Sequence, residues 1–475
     1  MTPGAAAGTV AAGLLAYGFA AVGEALLGRD SKTLFAWNES FLIGTGVCGA
    51  LLFPFSLIVP KGALTAEFGL MIAAAVALAG RRILRGSSSK PPRPSSVSRP
   101  LASDGIALAL LAALVLLALG FGALNLRYGH SWDSVQVWGT RAQMLFVQGG
   151  LSRHWFPEEA YDTRLLGYPP LIPLFEALLC RALGAFDFDA FKPVFFPFYV
   201  SLLLATYAAA RTLCSRRWAL VATLLTALLP ELSSRSAAGG YVDMPLAAFV
   251  AAAVGAGLRT DRKEGGWRSA LAWLMGAMTT AKQEGMVLAL IAACAIPLAW
   301  MMERPRHIPA RARSSWPGAL VVLAFIAARI SYVRWLGVHD ATWGPFDAAH
   351  RARALKSIGL VASLCLKFML DPATWGLFWP AFFVAAALIA ASGSARPMAV
   401  ALAVAATIAV YAAMFLMTNW VIEEHITGAY TRLLAQLAPA AAVVIAAAGQ
   451  WIWSPRRPAD SPSRAARAPA PANMP

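Results

Sequence analysis

The sequence predicts an all-α, polytopic membrane protein of about thirteen transmembrane helices with a GT-C-like frame. Three observations predict the helical membrane class. Of 475 residues, 59% are hydrophobic and only 13% are charged, whereas a soluble domain carries about 25% charged residues. Apolar runs near the ~20 residues needed to cross about 30 Å of hydrocarbon recur along the chain. Lys and Arg gather in alternate connecting loops. Mean hydropathy is +0.61. This composition excludes an ordinary soluble enzyme, a disordered chain and a disulfide-rich secreted domain. The five cysteines (Cys48, Cys180, Cys214, Cys294 and Cys365) are scattered, with no C-x-x-C pair and no zinc spacing. The net charge of +16 is a topology signal and predicts no nucleic-acid partner.

The elements follow in chain order. Met1 to Leu27 carries no basic n-region, so it reads as a first span near 5–27 and not as a cleaved signal peptide. Spans near 40–60 and 63–80 complete a three-helix N-terminal unit, 1–85. Residues 86–104 are Ser/Pro-rich and basic, which suits a solvated cytoplasmic linker. A span near 105–125 opens a second module, 105–453, with an outer loop at 126–192. Further spans are expected near 193–210, 218–232, 241–258, 268–281, 285–302, 316–335, 374–392, 398–418 and 432–453. Those at 218–232 and 268–281 are short for a crossing. Residues 358–370, interrupted by Lys367, are placed in the interface. The basic tail 454–475 is expected to be disordered and cytoplasmic. With the N-terminus outside, the inside loops hold 24 of the 40 Lys and Arg. The reverse orientation would translocate the cluster Arg81, Arg82, Arg85, Lys90, Arg93 and Arg99. High Ala and Arg content fits a GC-rich bacterial source, which would place the chain in the inner (cytoplasmic) membrane.

The outer loop is too long and too polar for a plain connector. Residues 134–149 have helical spacing, with Val137, Met144, Leu145 and Val147 on one side and Gln136, Arg141 and Gln143 elsewhere. This predicts an amphipathic helix on the membrane surface, ended by Gly149-Gly150. A second is expected from Tyr168-Pro169-Pro170 to about Leu183.

Polar residues then single out positions for chemistry. Asp133 sits just after the fourth span, where a carboxylate can act as general base toward a hydroxyl, or simply cap the following helix. Asp243, in Gly239-Gly240-Tyr241-Val242-Asp243-Met244-Pro245, has the same two readings. Lys282 and Glu284 lie in a turn after a short apolar helix, so Lys282 is sunk toward the membrane. An unpaired Lys there costs about 2.5–3.5 kcal/mol, which makes it a functional candidate or one half of an ion pair with Glu284 or Asp243. Arg432, ahead of the last span, suits a phosphate, or a pairing with Glu423 or Glu424. His154 and Glu158, four apart, lack a third metal ligand. Arg141, His154 and Tyr168 are further candidates for substrate binding.

Trp132-Asp133, then an amphipathic helix, then Tyr168-Pro169-Pro170-Leu171, then Tyr241-Val242-Asp243-Met244-Pro245-Leu246, then Lys282-Gln283-Glu284-Gly285, form an ordered series. Over about 105–290 this series resembles the GT-C superfamily of integral-membrane glycosyltransferases. The branch of protein O-mannosyltransferases and the lipid-A aminoarabinose transferase is the most similar. A weaker echo runs from His425 to Pro439.

The resemblance implies a polyprenyl-phosphate sugar donor and inverting transfer on the extracytoplasmic face. The acceptor would be a glycan, lipid or protein hydroxyl. Asp133 matches the family's first-loop acid, the base that deprotonates the acceptor. Asp243 would orient donor or acceptor. Lys282 and Arg432 would neutralise the departing phosphate. Many relatives carry an acidic pair in that loop, whereas here Ser134 follows Asp133, so no cofactor is expected and a divalent metal is not favoured. The residues before 105 and the lack of a sizeable soluble C-terminal domain also depart from the pattern. Two other readings compete. One is a transporter or flippase for an amphiphile, against which stand the one-sided polar residues and the absence of an inverted repeat. The other is a membrane scaffold, for which the outer loop is excessive.

Overall fold

The computed structural model describes residues 3–27, 33–84, 104–152, 167–259, 267–303, 308–337 and 347–453. Residues 85–103, which hold all of the linker but Asp104, the tail after Trp453, and His154 with Glu158 lie outside the described residues. The first four helices are α1 (Pro3–Leu27), α2 (Leu34–Ile58), α3 (Ala63–Leu84) and α4 (Gly105–Arg127). A π-helical turn, Ser134–Gly139, leads into α5 (Thr140–Gln148), followed by α6 (Leu171–Leu183). Next come α7 (Phe195–Arg211), α8 (Arg216–Leu228), α9 (Ser234–Gly239), α10 (Asp243–Leu258), α11 (Trp267–Ala281) and α12 (Glu284–Glu303). The chain continues through α13 (Ile308–Leu336), α14 (Ala348–Met369), α15 (Pro372–Trp375), α16 (Phe378–Ser392), α17 (Ala395–Met414) and α18 (Ile422–Trp453).

All thirteen expected stretches fall on helices. Eight of these helices (α1 to α4, α7, α13, α17 and α18) are long and apolar enough to cross a membrane among the described residues. The stretches near 241–258, 268–281 and 285–302 fall on shorter apolar helices, those near 218–232 and 374–392 on α8 and α16. Several boundaries differ from expectation: α13 starts at Ile308 and not near 316, α8 ends at Leu228 and not near 232, and α16 starts at Phe378 and not near 374. Helix α2 starts at Leu34 because Thr33 caps it, its Oγ1 accepting from the Ala36 amide at 3.2 Å. Helix α18 starts ten residues before 432, because Ile422, Ile426, Tyr430 and Leu433 recur at helical spacing and carry the buried face upward. With 32 residues it is about 48 Å long, well beyond the ~30 Å hydrocarbon layer.

Helix α10 is apolar all round and buried among α7, α11 and α18. The N-terminal helices are not a separate lobe. Helix α2 packs on α11 so closely that a Cβ at Gly46 would stand 2.1 Å from the Ala277 Cβ. Buried Glu39 on α2 pairs with Arg259 at the end of α10. At the opposite end, the α2–α3 turn clamps the end of α5: Leu64 donates to the Gly149 carbonyl at 2.9 Å, and Leu151 to Ser56 Oγ at 2.8 Å. Gly149 adopts φ 75° there, and the Lys61 carbonyl leaves no room for a Cβ.

The predicted loop helices form, with Arg141 and Val147 on the opposite faces from those expected. Gly149 ends α5, and Gly184 (φ 78°) ends α6 after its Pro169-Pro170 start. Val137 and Leu145 are buried as expected. Val147, expected beside them, is 72% exposed, and Arg141, expected away from the apolar side, is only 2% exposed. Helical spacing supplies the reason: Arg141 stands four residues from both Val137 and Leu145 and shares their face, whereas Val147, two residues from Leu145, falls on the opposite side. Helix α14 carries the stretch expected in the interface. His350 in its first turn meets Asn419 before α18, and Asp371 just past its end feels the charge of Arg235 in α9. Both of its ends therefore meet the end of the bundle that holds α9 and the α17–α18 turn. The chain then bends by 110° into α16.

Candidate functional site

Five of the residues selected by chemistry meet at that end of the bundle. The approach begins with the segment after α4. Ser131 donates through Oγ to the Gly239 carbonyl at 2.6 Å, which ties this segment to the α9–α10 turn. The same Oγ accepts from the Ser134 amide at 3.2 Å. Ser131 thus does the capping, and Asp133 makes no cap hydrogen bond. The Asp133 carboxylate instead turns to Arg432, with Oδ2 2.5 Å from Nη1.

Arg432 is held on three sides. Its Nε donates to Asp243 Oδ2 at 2.9 Å, its Nη1 to Asp133, and its guanidinium lies 4.4 Å above the Tyr241 ring. Glu423 and Glu424, the expected alternative partners, are exposed. Asp243 likewise caps nothing, since its two oxygens are engaged by side chains. Lys282 Nζ donates to Oδ1 at 2.8 Å, and Gln436 Nε2 to the same oxygen at 2.7 Å. Lys282 also reaches Glu284 Oε1 at 3.0 Å, and Glu284 Oε2 is buried without a partner. Tyr411 on α17 donates to Gln436 Oε1 at 2.7 Å, which extends the network to a further helix.

The network alternates in sign: Asp133, Arg432, Asp243, Lys282, Glu284. Three carboxylates face two cations. In a low-dielectric interior such alternation is what makes buried charge tolerable, because each ion is desolvated only against an opposite one. Exposure is least at the centre: 26% for the Asp133 side chain, 22% for Arg432, 2% for Asp243, 6% for Lys282 and 12% for Glu284. Asp133 is the open end. Its Oδ1 has no partner among the described residues. An apolar crevice of about 130 Å³ lies beneath, among α10, α11, α12, α17 and α18. Val250, Leu288, Ile291, Ala403 and Leu437 line it, and Arg396 marks its far end.

Tyr168 borders the network from the other side, near enough for its phenol to act electrostatically on Lys282. Its ring packs edge-on to Trp138 at 5.3 Å. Its carbonyl accepts from Arg141 Nη2 at 2.6 Å. Arg141 is thus not part of the ion chain but lies one residue removed from it. Beside the Asp133 segment, His130 spans to Ser134 Oγ through Nδ1 (2.8 Å) and to the Phe188 carbonyl through Nε2 (2.6 Å). Burial holds its imidazole below the ordinary value.

Sequence reasoning missed Gln436, Tyr411 and the stacking role of Tyr241. Gln436 carried a signal, since it stands four residues after Arg432 and therefore on the same helix face. Tyr411, alone in an apolar run, carried none. No family model, curated protein or solved structure matches this chain.

Proposed function

We propose that this chain is a membrane glycosyltransferase of GT-C type, transferring a sugar from a polyprenyl-phosphate donor to an acceptor hydroxyl on the extracytoplasmic face. The observation that carries the reading is the meeting of Asp133, Arg432, Asp243, Lys282 and Glu284 at one end of an apolar helix bundle, with Asp133 its most open member. In this reading Asp133 Oδ1 takes the acceptor proton, while Arg432 fixes the carboxylate through Oδ2. The acceptor oxygen then bonds to the anomeric carbon as the bond from that carbon to the phosphate oxygen breaks. The electron pair leaves with the polyprenyl phosphate, and the anomeric configuration inverts. Glu284 Oε2, buried and without a partner, suits a sugar hydroxyl as donor. The apolar crevice suits the isoprenoid chain or a lipid acceptor. The full frame of thirteen crossings, with the N-terminus outside in an inner membrane, belongs to this proposal.

A second reading, movement of an amphiphile across the bilayer, rests on the same crevice, which leads away from the charges toward Arg396.

The test is donor turnover. Purified wild type and Asp133→Asn receive a panel of polyprenyl-phosphate sugars with crude envelope acceptor, and release of free polyprenyl phosphate is followed. Wild type is expected to release it, and loss of the base to slow release by about 10²–10⁴-fold. Equal release by both variants removes Asp133 from the mechanism. Release by neither, with both folded, turns the question to lipid translocation.

A further inference from the structure

The ion chain around Asp243 leaves its two cations little capacity for an anion. Arg432 already holds two carboxylates, and so does Lys282. The sum of Asp133, Asp243 and Glu284 against Lys282 and Arg432 is one net negative charge, so a phosphate entering there meets repulsion.

Arg141 stands in the opposite condition. It is 2% exposed and has no ion pair among the described residues. Its Nη2 donates to the Tyr168 carbonyl and, at 3.1 Å, to the Tyr332 hydroxyl, both neutral groups. Its Nε and Nη1 are buried with no partner. A desolvated guanidinium with neither a counter-ion among the described residues nor a full set of acceptors is costly to keep buried. The fold nevertheless builds elaborately around it. Helix α5 supplies Arg141 and α13 supplies Tyr332, whose ring packs against Phe53 of α2 at 5.8 Å. On α13, Arg329 lies 5.7 Å over the Tyr332 ring and donates to the Gly167 carbonyl. The two arginines thus hold consecutive carbonyls, Gly167 and Tyr168, of the turn that separates Arg141 from Lys282.

We infer that Arg141 is a phosphate-binding residue, and that its site, across Tyr168 from the Asp243 network, takes the phosphate of the lipid-linked donor. The ligand class is a phosphate ester, which supplies the charge and acceptor oxygens that Nε and Nη1 lack. This assignment rests on the glycosyltransferase reading only for the source of the phosphate. It moves phosphate recognition from Lys282 and Arg432 to a cation not already satisfied. It also gives the N-terminal unit a part in the site, through Phe53.

The test is binding without turnover. The full-length protein in detergent is titrated with farnesyl phosphate, farnesol, inorganic phosphate and phosphatidylglycerol, read by Trp fluorescence and thermal shift. Wild type is expected to prefer farnesyl phosphate to farnesol. Arg141→Gln should weaken farnesyl phosphate by about 10- to 100-fold, the range for a charged hydrogen-bonding group, and leave farnesol unchanged. Arg141→Lys, which keeps the charge and loses the fork, should fall between them. An unchanged preference for farnesyl phosphate in either folded variant overturns the assignment. Binding of inorganic phosphate as tight as farnesyl phosphate, or equal competition by phosphatidylglycerol, overturns its lipid-donor source. Arg141-dependent binding with no turnover of any donor sinks the enzyme reading and leaves this site standing. Turnover with binding indifferent to Arg141 does the reverse.

Discussion

Asp243 is the residue on which the ion chain turns, since Lys282, Gln436 and Arg432 all converge on its two oxygens. Asp243→Ala leaves Lys282 with Glu284 alone and half-buried Arg432 with Asp133 alone, and is expected to destabilise the fold by about 3–5 kcal/mol. Adding Lys282→Met should restore part of that loss, measured by thermal unfolding in detergent. A double variant no more stable than the single would show that Lys282 does not depend on Asp243. His130 gives a pH signature of its own. Its pKa is lowered first by burial and also by Lys192, against the opposing effects of the Phe188 carbonyl, Asp189 and Asp187. The folded state therefore favours neutral His130. That stabilisation is whole above the unfolded value, near 6.5, and is lost as pH falls through the lowered folded value. Wild type should lose melting temperature on acidification from neutral pH, and His130→Asn should lose less. Asp133, Asp243, Lys282, Glu284 and Arg432 were legible as candidates because charge is conspicuous in an apolar chain. Their mutual pairing was not legible, since it depends on how α4, α10, α11 and α18 cross.

Among the elements, α2 and α11 lie closest to a steric limit. Gly46 faces Ala277 with no space for a side chain, and Thr280 Oγ1 donates to the Gly46 carbonyl at 3.3 Å. Gly46→Leu is expected to destabilise by about 1–3 kcal/mol or more through overpacking. Because Lys282 follows α11 directly, turnover should fall along with melting temperature. A variant as stable as wild type would show that the N-terminal helices sit more loosely than drawn. Helix ends were well legible where chemistry marks them, as at Gly149, Pro169-Pro170 and Gly184. The side of α5 that carries Arg141 was legible too, since Arg141 stands four residues from Val137 and from Leu145, but the expectation set its charge apart from the apolar residues. No motif reveals that α1 to α3 pack into the main bundle, since Ala and Gly on many faces permit several arrangements.

At the scale of the whole molecule, sidedness is the property most open to test. The charge pattern predicts the linker inside and the long loop outside. Pro92→Cys and Ala160→Cys should react with an impermeant maleimide from opposite sides of the membrane, and labelling from one side alone would break the topology. The class of fold was legible from composition, because a bilayer demands apolar helices. The depth of the site was not. It comes from pairing short helices, α10 and α11, with the long α18, so that Arg432 lies ten residues, about 15 Å, below the start of α18.

Helix α18 touches α7, α8, α10, α14, α16 and α17, and its Arg432 and Gln436 both grip Asp243. Such an element behaves mechanically like a keystone. A force applied to the C-terminus works first against the packed run from Leu433 to Ala448 and then reaches the ion chain at Arg432. Rupture at Asp243 then releases several helices in one cooperative step, so the extension trace should show one tall peak where a simple bundle gives a staircase of small ones.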